Sequence, residues 1–343
     1  MGKRWIVVAL IVVVLAAISA VVYQGNRKPG GPVAGEQDHK LRIGLVLSVG
    51  GRGDNGFNDM AIAAVERAEK ELGAEIKIIE PKQMASDEES LRYLAENNYD
   101  LTIGIGFMMK ESLEKVAKEF PNSKFVMVDV PVDLPNVASI AFKEHEGSFL
   151  AGALAGMMTK SNKIGFVGAL KMPLIERFEV GYKEGAQYVN PNVTVITNYA
   201  GTDPSAFNNP AAGKELALAQ VQHGADVLFH AAGPTGLGVI EGAKETKTWM
   251  IGEDVNQNSV APGIVLTSMM KKVDVAVYDT IKAYSEGNFK AGINIYGLAE
   301  NGVGLADFEY TADKVPQEVK DKLAEIRQKI IDGDIKVTDP MEQ

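Results

Sequence analysis

The chain has 343 residues, 46% of them hydrophobic, with 35 glycines, no cysteine and a formal net charge of −10. That length allows two domains with sizeable cores. The absent thiol excludes disulfides, thiolate catalysis, cysteine-zinc sites and a lipid-modified cysteine, and the acidic balance disfavours nucleic acid as a partner.

Residues 5–23 are uncharged and almost wholly apolar. At 1.5 Å per residue they reach about 28 Å, close to the thickness of a bilayer core. Lys3 and Arg4 precede the run, and Trp5 and Tyr23 bound it. A retained membrane anchor fits the length better than a cleaved signal, because Ile18-Ser19-Ala20 is a poor small-residue cleavage site. Either reading leaves residues 1–4 as a cytoplasmic tip and puts the body outside the cytoplasm. Residues 24–40 read as a flexible tether rich in glycine and proline. Beyond residue 40 the body holds 30 basic and 43 acidic residues, a net −13.

The body opens on a strand pattern over residues 41–48, which empties into a polar, glycine-rich loop. A helix follows, with Phe57, Met60, Ala61, Ala64, Val65, Ala68 and Leu72 on one face. Strand, glycine-rich loop and helix in that order is where α/β proteins hold small ligands. The loop also contains a formal dinucleotide fingerprint, Gly51, Gly53 and Gly56, with Glu80 ending the next strand. We resist that reading: Asp54 sits where a pyrophosphate would have to lie, and a carboxylate repels it.

Further strands are expected at 75–79, 101–105, 124–129 and 137–141, with helices at 88–97 and 110–120 between them. A second set has strands at 163–167, 193–197, 227–229, 248–251 and 264–268. Its helices lie at 175–189, at 211–223 and after Gly236. Such alternation predicts βαβ units and parallel sheet, and two runs of it predict two similar lobes. A last helix, with Val319, Leu323, Ile326 and Ile330 on one face and Gly333 as its stop, packs on a lobe surface.

Several segments together resemble a known family. They are residues 53–59 (GDNGFND), 142–157 (FKEHEGSFLAGALAGM), 163–178 (KIGFVGALKMPLIERF), 224–238 (GADVLFHAAGPTGLG) and 266–277 (LTSMMKKVDVAV). They look like the extracytoplasmic basic-membrane-protein family of substrate-binding proteins, whose best-understood members are purine nucleoside receptors of ABC importers. Two departures stand out: the family's lipoprotein cysteine is missing, and the first loop is unusually rich in glycine.

The resemblance implies a two-lobed type I periplasmic-binding fold, each lobe a mainly parallel sheet flanked by helices. Three crossovers join the lobes, placed near Ser161, Met269 and Ile293. The first lobe then takes 41–160 and 269–292, the second 161–268 and 293–343. The resemblance further implies a monomer that captures a nucleoside, expected to be a purine, and presents it to permease subunits. The alternative is a membrane-anchored sensor of the same fold.

In the family, aromatics at Phe57 and Phe207 sandwich a base, which has two faces to stack. Asp129 ends a strand and can accept from ring N–H or amino groups. Asp254 and Lys271 are the residues the family turns to the sugar. Gly233 allows close backbone approach. Asp54, Asn55 and Asn58 complete the expected ligand set, with His230 behind them.

No metal or cofactor is expected, since the four histidines lie in separate segments with no H-E-x-x-H pair. No G-x-S-x-G or P-loop occurs. Asp129 with Asp254 could imitate a glycosidase pair, but hydrolysis needs an acid and a base straddling one bond. The expectation is a binding protein without catalysis.

Overall fold

The computed structural model describes residues 40–81 and 86–342. The anchor, and the tether up to residue 39, lie outside them. Among the described residues no helix is long and apolar enough to cross a membrane.

Leu41–Gln343 forms one compact unit built on two six-stranded sheets. The first sheet takes β1 (Arg42–Val46), β2 (Glu75–Ile79), β3 (Leu101–Ile105), β4 (Lys124–Val128), β5 (Val137–Phe142) and β11 (Gly292–Tyr296). The second takes β6 (Lys163–Leu170), β7 (Thr194–Gly201), β8 (Val227–Ala231), β9 (Trp249–Asp254), β10 (Val265–Lys271) and β12 (Val303–Leu305). The orders are β2-β1-β3-β4-β5-β11 and β7-β6-β8-β9-β10-β12. Every pairing is parallel except β10 with β12. Both lobes therefore repeat one doubly wound topology, which places ligands at the carboxyl ends of the strands. Central strands such as β3 and β8 are buried along their whole length, as expected of strands covered on both faces.

Nine helices of the described residues connect or cover the strands: α1 (Phe57–Leu72), α2 (Asp87–Glu96), α3 (Lys110–Glu119), α4 (Glu144–Met158), α5 (Pro173–Val189), α6 (Pro210–Gln222), α7 (Pro234–Thr246), α8 (Val273–Ser285) and α9 (Gln317–Ile331). Helix α9 buries Val319, Leu323, Ile326 and Ile330, the stripe read from the sequence.

The lobe boundaries differ from those expected. Helix α4 follows a first-lobe strand but packs along α5 and against β10 and β12, so it belongs to the second lobe. Strand β11 pairs with β5, so residues 292–296 belong to the first lobe. The crossovers fall at Lys143, at Lys272 and at 297–302, not at Ser161, Met269 and Ile293. They are bonded together: Lys143 N–H donates to Tyr296 C=O at 3.0 Å and Lys272 N–H to Gly302 C=O at 2.9 Å. Helix α4 concealed the first crossover because it is buried on nearly every side and has no polar face to mark it. Its contact with α5 is made backbone to backbone. A Cβ on Gly152 would lie 1.9 Å from Tyr182 O, and one on Gly185 would lie 1.9 Å from Phe149 O.

Candidate functional site

The carboxyl ends of the two sheets face one another across a cleft. The first lobe contributes Ser48 after β1, Phe57 at the start of α1, Gly106 and Phe107 after β3, and Asp129 after β4. The second contributes Phe178 from α5, Phe207 from the short helix Pro204–Asn208, Gly233 after β8, and Glu253, Asp254 and Lys271 at the ends of β9 and β10. Six of the nine expected ligand residues thus line one cavity: Phe57, Asp129, Phe207, Gly233, Asp254 and Lys271.

The polar centre is Lys271, which is 3% exposed. Its Nζ donates to Asp129 Oδ1 at 2.6 Å and lies 3.0 Å from Glu144 Oε1. It also stands 5.1 Å from the centre of the Phe57 ring and 5.3 Å from that of Phe142. Burial pushes the ammonium down, but Asp129, Glu144 and Asp254 outweigh it and hold the group above its usual range. Glu144 is shared: its Oε2 accepts from Arg177 at 3.1 Å. Arg177 in turn donates twice to Asp339, at 2.7 and 2.5 Å. A buried charge chain therefore runs from the cavity, past the first crossover, to the C-terminal segment.

Asp129 and Asp254 both have left-handed backbone, with φ of 90° and 64°. Non-glycine residues adopt this at a cost of order 1–3 kcal/mol, and such strain clusters at functional sites. At Asp254 the cause is a three-residue turn, in which Val255 N–H donates to Glu253 C=O at 2.7 Å. The turn interrupts the alternation of the strand, so adjacent Glu253 and Asp254 both line the cavity. Burial first, then the charge of Glu253, hold the Asp254 carboxyl well above the ordinary carboxylate range. Its Oδ1 is buried without a hydrogen-bond partner among the described residues, so it is open to a ligand donor.

Three expected ligand residues serve the loop instead of the cavity. Asp54 is turned inward, where its oxygens accept from Gly56 N, Asn58 N, Asp59 N and Asn58 Nδ2 at 2.8–3.1 Å. It occupies the N-terminus of α1, which is the position of the phosphates in a dinucleotide site. Asn58 is buried, and its Oδ1 accepts from Ser48 N and Oγ. Asn55 lies exposed at the loop tip. Glu80 accepts from Arg52 N at 2.6 Å, so the acid of the formal fingerprint is tied to the loop backbone.

Gly233 also differs from its expected role. It lines the cavity with φ 55°, but its N–H and that of Ala232 donate to Glu253 Oε2 at 3.2 and 3.0 Å. His230 stands behind Glu253, fully buried, with Nε2 3.0 Å from Gln257 Oε1 and Nδ1 3.2 Å from Glu253.

Sequence reasoning missed Phe107, Phe178 and Glu253 as cavity residues. Phe107 lies 6.3 Å from Phe207, centre to centre, with the rings tilted by 48°. Its signal was available: it is the second residue after a buried strand, next to Gly106, whose φ is 92°. For Glu253 there was none, because a strand end normally turns neighbouring side chains to opposite faces.

The arrangement suits a small, uncharged ring system with several hydrogen-bond donors. Aromatic faces come from both lobes, and acceptors outnumber the single cavity lysine. A family model described as "ABC transporter substrate-binding protein PnrA-like" matches residues 41–340. A CD4+ T-cell-stimulating antigen of Listeria innocua is 34% identical, over 98% of this chain and 99% of that protein. The ABC transporter nucleoside-binding protein BmpA of Lactococcus lactis is 31% identical over the same shares, 98% and 99%. A solved solute-binding protein of an ABC transporter system from Aeropyrum pernix K1 is 31% identical, with a TM-score of 0.80 over 88% of this chain and 94% of that one.

Proposed function

This chain belongs to the family of PnrA-like ABC transporter substrate-binding proteins, and from that premise we propose that it captures a nucleoside, a purine nucleoside first, between its two lobes. It acts outside the cytoplasm as a monomer, held at the membrane by residues 5–23, and hands its cargo to permease subunits. No bond is made or broken in the cavity; the ligand favours the closed form by touching both lobes at once.

The observation that carries the reading is the cavity itself. Phe57 and Phe107 come from one lobe, Phe207 from the other, and Asp254, whose Oδ1 has no partner among the described residues, lies beside them. Stacking is worth roughly 1–3 kcal/mol per base. A carboxyl suits hydroxyl and amino donors. Lys271 is already bonded to Asp129, and the cavity holds no arginine fork for a phosphate. The name of the Lactococcus relative points the same way.

Titration calorimetry of the protein with nucleosides, nucleotides, sugars and amino acids tests this. The expected result is binding of nucleosides alone. Tighter binding of a sugar or an amino acid than of any nucleoside overturns the assignment.

A further inference from the structure

A second chamber of about 250 Å³ adjoins the aromatic cavity. Ser48, Val49 and Met108 line both. The partition is thus a small residue, a half-exposed valine and a methionine, whose unbranched side chain moves easily. The chamber's other walls are mostly apolar: Leu47, Ile105 and Met109 from the first lobe, and Pro204 from the second. Pro204 lies three residues before Phe207, on the same short helix. Closure of the lobes therefore builds both spaces.

One charged residue lines this chamber among the described residues. Asp87 opens α2, is 7% exposed and has no hydrogen bond or ion pair among the described residues. Apart from Asp254, which the aromatic cavity uses, other buried aspartates are engaged: Asp54 by backbone N–H groups, Asp129 by Lys271 and Asp339 by Arg177. A buried polar group without a partner is costly, and natural proteins keep few of them without a use. Nothing in the nucleoside reading uses Asp87.

We propose that this chamber is an arm subsite, which takes an aliphatic substituent of the bound nucleoside ending in an amino group, with the ammonium received by Asp87. The inference rests on the nucleoside reading and deepens it. The apolar walls hold the methylenes. The carboxylate pairs with the terminal charge, and the low dielectric around it strengthens the attraction. Burial alone raises the Asp87 carboxyl to about 6. Below that pH the free protein holds a proton there, and an ammonium must displace it to bind.

The test is calorimetry of the full chain at pH 7.5 and pH 5, with adenosine and two pairs of derivatives. Each pair carries a five-carbon arm ending in a methyl group or in a primary amine, attached at N6 in one pair and at the 5′ carbon in the other. In at least one pair the amine is expected to bind about tenfold tighter than the methyl at pH 7.5. At pH 5 that ratio is expected to fall to about twofold or less. In Asp87→Asn it should fall likewise at both pH values. Equal binding of amine and methyl arms in both pairs, with adenosine itself bound, overturns the arm subsite and leaves the nucleoside reading intact. The same holds for a ratio that survives pH 5 or Asp87→Asn. Failure of adenosine and all four derivatives to bind overturns the nucleoside reading, and the subsite with it.

Discussion

Lys271, at the end of β10 in the second sheet, donates to Asp129, just past β4 in the first, at 2.6 Å and across 142 residues of chain. The cation of one lobe is thus bonded to a carboxylate of the other. Both groups are buried, so their attraction is set against a desolvation cost of several kcal/mol per ion. A ligand that reaches Asp129 must share it with Lys271.

Removing the lysine leaves Asp129 without its cation and Glu144 with Arg177 alone. Lys271→Met is expected to destabilise the protein by about 3–5 kcal/mol, the usual cost of one orphaned partner in a buried pair. Urea unfolding measures it. Combining Lys271→Met with Asp129→Asn should recover part of the loss. A double variant less stable than Lys271→Met alone would show that the two residues do not act as a pair.

Asp254 gives stability a pH dependence of known sign. Its native carboxyl titrates well above the ordinary range, through burial and then Glu253, whereas an unfolded aspartate titrates near 3.9. Between those values the native state holds an extra proton, so stability falls as pH rises through the interval. Asp254→Asn removes that loss. It is expected to raise the melting temperature of the ligand-free protein at pH 8 and to change it little at pH 3.5. The opposite ranking would mean that Asp254 is stabilised as an anion.

The aromatic faces should act additively on binding. Phe57→Ala and Phe207→Ala are each expected to weaken nucleoside binding by roughly 1–3 kcal/mol, about ten- to a hundredfold. Phe107→Ala should fall in the same range, since its ring lies beside that of Phe207. Calorimetry of the three variants decides. Unchanged affinity in all of them would remove stacking from the account.

Dinucleotides are expected to leave the protein unaffected. The carboxylate of Asp54 already fills the N-terminus of α1, accepting from Gly56, Asn58 and Asp59. A pyrophosphate would have to displace a group built into the chain and then face its charge. Thermal melts with and without NAD at sub-millimolar concentration should coincide, and a clear upward shift would refute this account of the loop.

Helices α4 and α5 tolerate no side chain at their crossing. Gly185→Ala would put a methyl 1.9 Å from Phe149 O, a backbone atom that cannot turn aside. The expected cost is about 1–3 kcal/mol or more, as for other overpacked cores, read as a lower melting temperature. An unchanged melt would mean that the two helices can separate freely.

The sequence by itself determined the alternation of strands and helices and the doubled lobe, but it set the carboxyl ends of the second-lobe strands two to four residues short and missed β11 and β12. The alternation and the doubling follow from the local period of apolar residues, which reports which face of each element is buried. Strand-end position pointed to Asp129; Phe57, Phe207, Asp254 and Lys271 were marked by what the family resemblance implies, and all four line the cavity. The tertiary structure decided what each element pairs with. Helix α4 joins the second lobe through a glycine contact with α5, and β11 returns to the first through its pairing with β5. Asp54 looked like a ligand residue by type and position, yet its oxygens are claimed by the backbone of its own loop. Glu253 joined the cavity only because the turn at Asp254 breaks the strand's alternation. The chain from Lys271 through Glu144 and Arg177 to Asp339 links four segments that no local pattern connects. Periodicity records that a residue is buried. Which buried charge meets which depends on packing between elements 33 to 162 residues apart, and only the folded chain brings them within hydrogen-bond reach.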